Sequence, residues 1–190
     1  MKIGFDLDEV LADQLPAVIE FHNSVYGTSL TREQFRSLRY WETWGGTKEE
    51  AIQKVYDYYR TPYFRNIKPV AGSQEAVNTL KQSHDLCIIT ARPNDFAQET
   101  IEWVDCHFPC TFSEIHFANH YALSGLPKTK AEICDSSGVD ILVEDSLEYA
   151  LECRNQNRRI FLLDNPWNQS LDLPQGVYRV HGWGEIIEAI

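Results

Sequence analysis

Near the start of the chain, a short apolar run, Ile3-Gly4-Phe5, stops at two acids placed two residues apart, Asp6 and Asp8. Apolar residues that end abruptly in carboxylates read as a buried strand whose C-terminal end opens into a site. The chain is leaving the strand at this point, so one carboxylate and a neighbouring carbonyl or carboxylate can converge on a single cation. Hard oxygen donors of this kind suit Mg²⁺, which takes one or two carboxylates together with water and substrate phosphate. The plainer alternative is a strand followed by a solvated acidic turn.

Further polar groups stand at comparable places. Thr90 follows the run Leu86-Cys87-Ile88-Ile89, Lys130 follows Thr129 at a helix start, and Glu144-Asp145 follow Ile141-Leu142-Val143. Taken singly, each has an ordinary reading. Thr90 could be a simple helix cap, Lys130 a solvated surface lysine with Lys128 as its rival, and Glu144-Asp145 the cap of a helix beginning near Ser146. Thr129 at the N-cap puts Lys130 in the first helical turn, which favours it over Lys128. Asp164, with Asn165 and Pro166, reads as a turn.

The elements that would position these groups change character along the chain. From Pro69 onward, strand and helix alternate. Apolar runs at 86–89, 115–117, 141–143, 160–163 and 177–180 are separated by helices, one capped by Ser73 and others starting near Asn94 (with Ala97, Ile101 and Val104 on one face), Thr129 and Ser146, and a last helix covers 183–190. That rhythm implies a parallel sheet covered on both faces, in which ligands bind beyond the carboxyl ends of the strands. Between residues 14 and about 66 no convincing strand is visible. Asp13 caps a stripe running from Leu15 to Tyr26, and Thr31/Gln34 and Thr47/Glu50 have capping-box spacing. Tyr40 to Gly46 reads as an aromatic loop. This implies a core of residues 1–13 and 69–190 carrying a helical insertion over 14–68.

Composition bounds the possibilities. At 190 residues the chain is one domain, or one domain carrying a modest insertion, and its 43% hydrophobic and 24% charged shares are ordinary for a globular protein. A formal charge of −11 argues against a nucleic-acid polymer as partner. It leaves room for a small phosphate ester, since a bound cation and one lysine can reverse the field locally. No apolar stretch is long enough for a bilayer span and the N-terminus leads straight into a strand, so no membrane partner and a cytoplasmic location are expected. The five cysteines are scattered, and Cys106 and Cys110 around His107 fit no common zinc spacing. His116 and His120 are four apart, but their segment reads as strand then loop, favouring structural or pocket-lining roles over zinc.

Taken in order, Asp6-Leu7-Asp8-Glu9-Val10, Thr90, Lys130 and Glu144-Asp145 resemble the four motifs of the haloacid dehalogenase superfamily of hydrolases. The insertion after the first motif and the segment Ile89-Thr90-Ala91-Arg92 resemble its 5′-nucleotidase and deoxyribonucleotidase branch most. The resemblance implies an α/β fold, a Rossmann-like three-layer parallel sheet with a small helical cap inserted after the first strand. It implies Asp6 as nucleophile and Asp8 as general acid and then base, its carbonyl on Mg²⁺. Thr90, the Ala91 amide and a helix N-terminus would bind phosphate, and Lys130 would neutralise charge. Asp145 would complete the Mg²⁺ site with Asp6, and Glu144 would coordinate through water or hold Asp145 in place. Many relatives carry glycine where this chain has Glu9, which could charge the site or point into the cap interface.

Specificity would come from the cap. Of Tyr40, Trp41, Trp44, Tyr56, Tyr59 and Phe64, most should pack the cap, with Trp41 and Trp44 the best candidates to touch substrate. Arg92, Arg36 and Arg39 are candidate cationic contacts. The implied function is a Mg²⁺-dependent phosphomonoester hydrolase acting on (deoxy)nucleoside monophosphates. The same chemistry on a sugar phosphate, or a catalytically quiet phosphate-binding module, stays open. A phosphonatase is disfavoured, because neither Lys48 nor Lys54 sits where a Schiff base would form.

Overall fold

The computed structural model describes residues 1–170 and 172–190. The chain opens with strand β1 (Lys2–Phe5) and a two-residue strand β2 (Ala12–Asp13). Four helices follow, α1 (Gln14–Tyr26), α2 (Tyr40–Trp44), α3 (Lys48–Tyr59) and α4 (Pro62–Arg65), and then β3 (Lys68–Pro69). Strand and helix alternate from there: α5 (Ser73–Leu80), β4 (Asp85–Thr90), α6 (Ala97–His107), β5 (Glu114–Phe117), α7 (Lys130–Ser136), β6 (Ile141–Glu144), α8 (Leu147–Glu152) and β7 (Arg159–Leu163). The last elements are β8 (Val177–Val180) and α9 (Trp183–Ala189).

Six of the strands form one parallel sheet in the order β5-β4-β1-β6-β7-β8. Their side chains alternate between two layers, as the period of a strand requires. Ile3, Phe5, Ile88, Val143 and Phe161 face one core with Val77 of α5, Val104 of α6 and Trp183 of α9. Cys87, Ile89, Leu142, Ile160 and Leu162 face the other with Cys134 of α7 and Ala150 of α8. Gly4 lies on this second face, where a β-carbon would come 3.1 Å from Ile89 Cδ1 and 3.2 Å from Val139 Cγ1. The fold is the expected α/β sandwich of helices around a parallel sheet.

Strand β1 is central, with β4 on one side and β6 on the other. The chain leaves β1 for β4 and β5, then returns to start β6 on the opposite side. The crevice at such a reversal is where open parallel sheets bind ligands.

Local signals account for most element boundaries. The Thr31, Thr47 and Thr129 capping boxes form, and Ser146 accepts from the Tyr149 amide. Three expectations fail locally. Ser73 is the first helical residue of α5 rather than its cap, because Gly72 takes the cap position at φ 82°. Ile101 is exposed on α6 while Thr100 and Trp103 face inward, since Arg92 takes the Thr100 hydroxyl. Residues 40–44 are a short helix, not a loop: Tyr40 and Trp44, four apart, pack ring on ring at 4.7 Å, and Gly45 ends the turn at φ 72°.

The helices between β2 and β3 pack on one another through aromatic side chains, with Phe21 of α1 against Tyr58 and Tyr63. Their two connections to the sheet lie side by side, because β2 and β3 pair antiparallel, Ala12 with Pro69 and Asp13 with Lys68. Among the described residues no helix is long and apolar enough to cross a membrane.

Candidate active site

The sheet's ladder continues one residue past β1, where the Asp6 amide donates to the Val143 carbonyl at 2.9 Å. That bond fixes Asp6 at the mouth of the crevice. The capping box on Thr129 sets the first turn of α7 and aims Lys130 inward, where it is fully buried. Lys130 Nζ lies 2.8 Å from Asp6 Oδ1 and 2.8 Å from Glu144 Oε2. Lys128 is exposed and takes no part. Glu144 Oε1 accepts the amides of Asp145 and Ser146 at 3.2 and 3.1 Å, which holds the turn after β6. Both Glu144 oxygens therefore have protein partners, which hold Lys130 and the turn at Asp145 in place.

Oxygens of Asp6, Glu144 and Asp145 lie within 4.8 Å of one another, all three residues buried. One ammonium faces three carboxylates, and the imbalance shows in their proton affinities. Burial, and then Glu144, push the Asp6 carboxyl up to about 7 against the pull of Lys130. Asp145 is driven well above the usual carboxylate range by burial and by Glu144 and Asp6. Burial alone would lower Lys130, but its two carboxylate partners outweigh it and raise the ammonium well above its ordinary value. A divalent cation between Asp6 and Asp145 would discharge this excess, and an all-oxygen donor set fits Mg²⁺.

Asp8 points elsewhere. Its oxygens take Arg92 Nη2 at 2.6 Å and Nε at 3.0 Å. Arg92 also donates to Thr100 at 3.1 Å and lies over the Phe64 ring at 4.8 Å. The guanidinium is thus held by protein partners where it lines the cavity described below. Thr90 is buried, its hydroxyl accepting the Arg92 amide at 3.2 Å. No helix starts there, since the next helical turn begins at Asn94. Pro93 keeps the backbone extended before it.

Glu9 adopts φ 62°, a left-handed conformation glycine takes without strain. Its carboxylate accepts the Leu15 amide at 2.6 Å and Arg32 Nη2 at 2.9 Å. It therefore sits at the junction between sheet and helices.

Above the acids lies an open cavity of about 170 Å³. Asp6, Asp8 and Asp145 lie at its base, and Tyr40, Trp41 and Tyr59 line its sides together with Ala91. Trp41 meets Tyr121 edge to face at 6.2 Å, with Lys48 Nζ over both rings. Trp44 does not line this cavity: it stacks on His22 at 4.7 Å inside the helical layer, which corrects its assignment as a substrate contact. Arg36 and Arg39 border a neighbouring groove, with Arg39 3.3 Å from Glu148. His120 lines the cavity, held by the Tyr149 hydroxyl and the Lys128 carbonyl, while His116 faces Glu114 and Ser137. Asp164 pairs with Arg179 at 2.6 Å, as a turn residue can.

Sequence reasoning missed Tyr121 and Tyr149 on the cavity wall, and Trp167, whose indole donates to Asp145 Oδ2 at 2.8 Å. Tyr121 and Trp167 lie in connecting segments without periodicity, so only Trp167's place soon after a strand end hinted at its role.

A family model described as 5′ nucleotidase, deoxy (pyrimidine), cytosolic type C protein matches residues 1–190. The chain belongs to this nucleotidase family. As a family member it is a hydrolase of phosphoric monoesters. A nucleotidase of Clostridium acetobutylicum is 22% identical over 186 residues, 98% of this chain and 91% of that protein. Among solved structures, a haloacid dehalogenase-like hydrolase of Streptococcus pneumoniae superposes with a TM-score of 0.71 at 17% identity, over 99% of this chain and 97% of that one. A HAD-hydrolase of Bacillus subtilis, solved with magnesium bound, gives 0.65 at 13% identity over 99% and 97%. These two likenesses carry the fold.

Proposed function

We propose that this nucleotidase-family hydrolase is Mg²⁺-dependent, acts on (deoxy)nucleoside monophosphates in the cytoplasm, and works through an aspartyl-phosphate on Asp6. The observation that carries the reading is the meeting of Asp6, Lys130 and Asp145 at the base of an aromatic-walled cavity. Asp6 Oδ2 attacks phosphorus, because Oδ1 is held by Lys130. The P–O bond to the nucleoside breaks, and the leaving alkoxide takes a proton from Asp8. Water then hydrolyses the acyl phosphate, giving its proton to Asp8 and restoring Asp6.

To exchange protons, Asp8 turns one oxygen away from the Arg92 fork toward the substrate, a short rotation for a side chain already lining the cavity. Asp6 and Asp145 would hold magnesium, which would supply the positive charge that lets a phosphate dianion approach acids. Lys130 keeps its charge on the transferring group, and Ala91 closes the phosphate side of the cavity. The helical segment 14–68 acts as the cap, with Trp41 against the base or sugar.

The test is phosphate release from nucleoside 5′- and 3′-monophosphates and from sugar phosphates, with magnesium or chelator. Release from a nucleotide should require magnesium and be lost in Asp6→Asn. Release from sugar phosphates alone would overturn the substrate class, and no release from any ester would overturn the reading.

A further inference from the structure

Behind the acidic base of the cavity runs a line of contacts that neither attack on phosphorus nor proton transfer requires. Asp145 Oδ2 accepts the Trp167 indole N–H at 2.8 Å, and the Asp145 carbonyl accepts Asn168 Nδ2 at 2.7 Å. The Trp167 ring faces the Arg32 guanidinium at 5.2 Å. Arg32 Nη2 in turn bonds Glu9 Oε2 and Asn165 Oδ1, each at 2.9 Å. Three distant stretches meet here: Glu9 just after β1, Arg32 from the helical segment, and residues 165–168 after β7.

An indole N–H is a donor with no acceptor capacity, so it takes one lone pair of Asp145 Oδ2 and fixes the rotation of the carboxylate. A carboxylate restrained in this way turns less freely to present both oxygens to one cation. That distinction separates two ions. Mg²⁺ needs compact octahedral coordination, satisfied by single carboxylate oxygens and waters, whereas Ca²⁺ takes six to eight oxygens and readily accepts carboxylates in bidentate fashion. The guanidinium over the ring limits its tilt, and Glu9 and Asn165 fix the guanidinium.

We propose that Trp167 is a positioning residue that holds Asp145 to one-oxygen coordination and so sets a preference for Mg²⁺ over Ca²⁺, with Arg32 clamping the indole from the helical segment. The inference rests on the metal site proposed above. Partners that orient a metal ligand are worth about 10–100-fold in metal affinity. The effect here falls unequally on the two ions, because a released Asp145 suits Ca²⁺ better.

Calorimetric titration of the full chain, stripped with chelator, with MgCl₂ and then CaCl₂ measures both affinities without turnover. Trp167→Phe keeps an aromatic ring and removes the donor. Its Mg²⁺ affinity should fall about 10-fold or more while its Ca²⁺ affinity holds or rises, so the Mg²⁺/Ca²⁺ ratio drops. Arg32→Met, which leaves the indole intact, should move the ratio the same way by less, and gives the answer if Trp167→Phe does not fold. If wild type binds Mg²⁺ and neither variant changes the ratio, the positioning role is wrong while the metal site stands. If wild type binds no Mg²⁺, both fail together.

Discussion

Arg92 grips Asp8 through two nitrogens, Nη2 on Oδ1 at 2.6 Å and Nε on Oδ2 at 3.0 Å, yet the two side chains differ in exposure, 1% against 23%. Removing either partner of such a pair strands the other, and the stranded group pays according to its depth. Asp8→Asn leaves a buried guanidinium with neutral partners only and should lower unfolding stability by about 3 kcal/mol. Arg92→Met leaves an acid that reaches water and should cost less. Urea denaturation of both variants tests the order, and equal losses would contradict it.

Lys130 is the lone cation among Asp6, Glu144 and Asp145. Lys130→Met should abolish phosphatase activity and destabilise the fold more at neutral than at acid pH, because protonation relieves the repulsion that the lysine no longer offsets. Thermal melts of wild type and variant at two pH values would show the gap narrowing on acidification. A gap independent of pH would mean the lysine acts through packing alone.

Burial pushes both Asp6 and Glu9 up to about 7, from ordinary values of 3.8 and 4.5. Between those limits the folded chain holds protons that the unfolded chain has released. Stability therefore falls as pH rises through the window from about 4 to 7. In chelator, the melting temperature should drop as pH is raised across the upper part of that window. Magnesium should restore more at pH 7.5 than at pH 5.5, since its binding requires the deprotonated acids. A melting temperature that climbs with pH in chelator would show that these carboxyls ionise unaided.

Trp41 and Trp44 sit three residues apart and face different surroundings. Trp41→Ala should raise KM for a nucleotide about tenfold with kcat nearly unchanged, the loss of one stacked base. Trp44→Ala should leave KM alone and cost about 2 kcal/mol of stability, less than a fully buried tryptophan. Steady-state kinetics beside denaturation separates the two, and a KM effect in Trp44→Ala would reverse the placement.

The reach of the sequence follows from which interactions are local. The ends of β1, β4 and β6 were legible at Asp6, Thr90 and Glu144 because buried parallel strands are apolar runs that stop where the sheet meets solvent. Lys130 could be chosen over Lys128 because Thr129 and Glu132 are a local cap. The pairing of Arg92 with Asp8 is not legible in sequence, because the two lie 84 residues apart and are joined only by the fold. Trp44 was misassigned for the same reason, since an aromatic residue that lines a cavity and one that packs a helix look alike in sequence. Glu9 became intelligible only once its left-handed backbone and its hold on Arg32 were visible.

The pairing of Ala12 with Pro69 and Asp13 with Lys68 makes the join between the two layers a ribbon rather than a pair of separate strings. A ribbon bends readily about one line and resists torsion. Any opening of the helical layer is thereby steered into a single swing, and Trp41 should return to the same spot above Asp6 on every turnover.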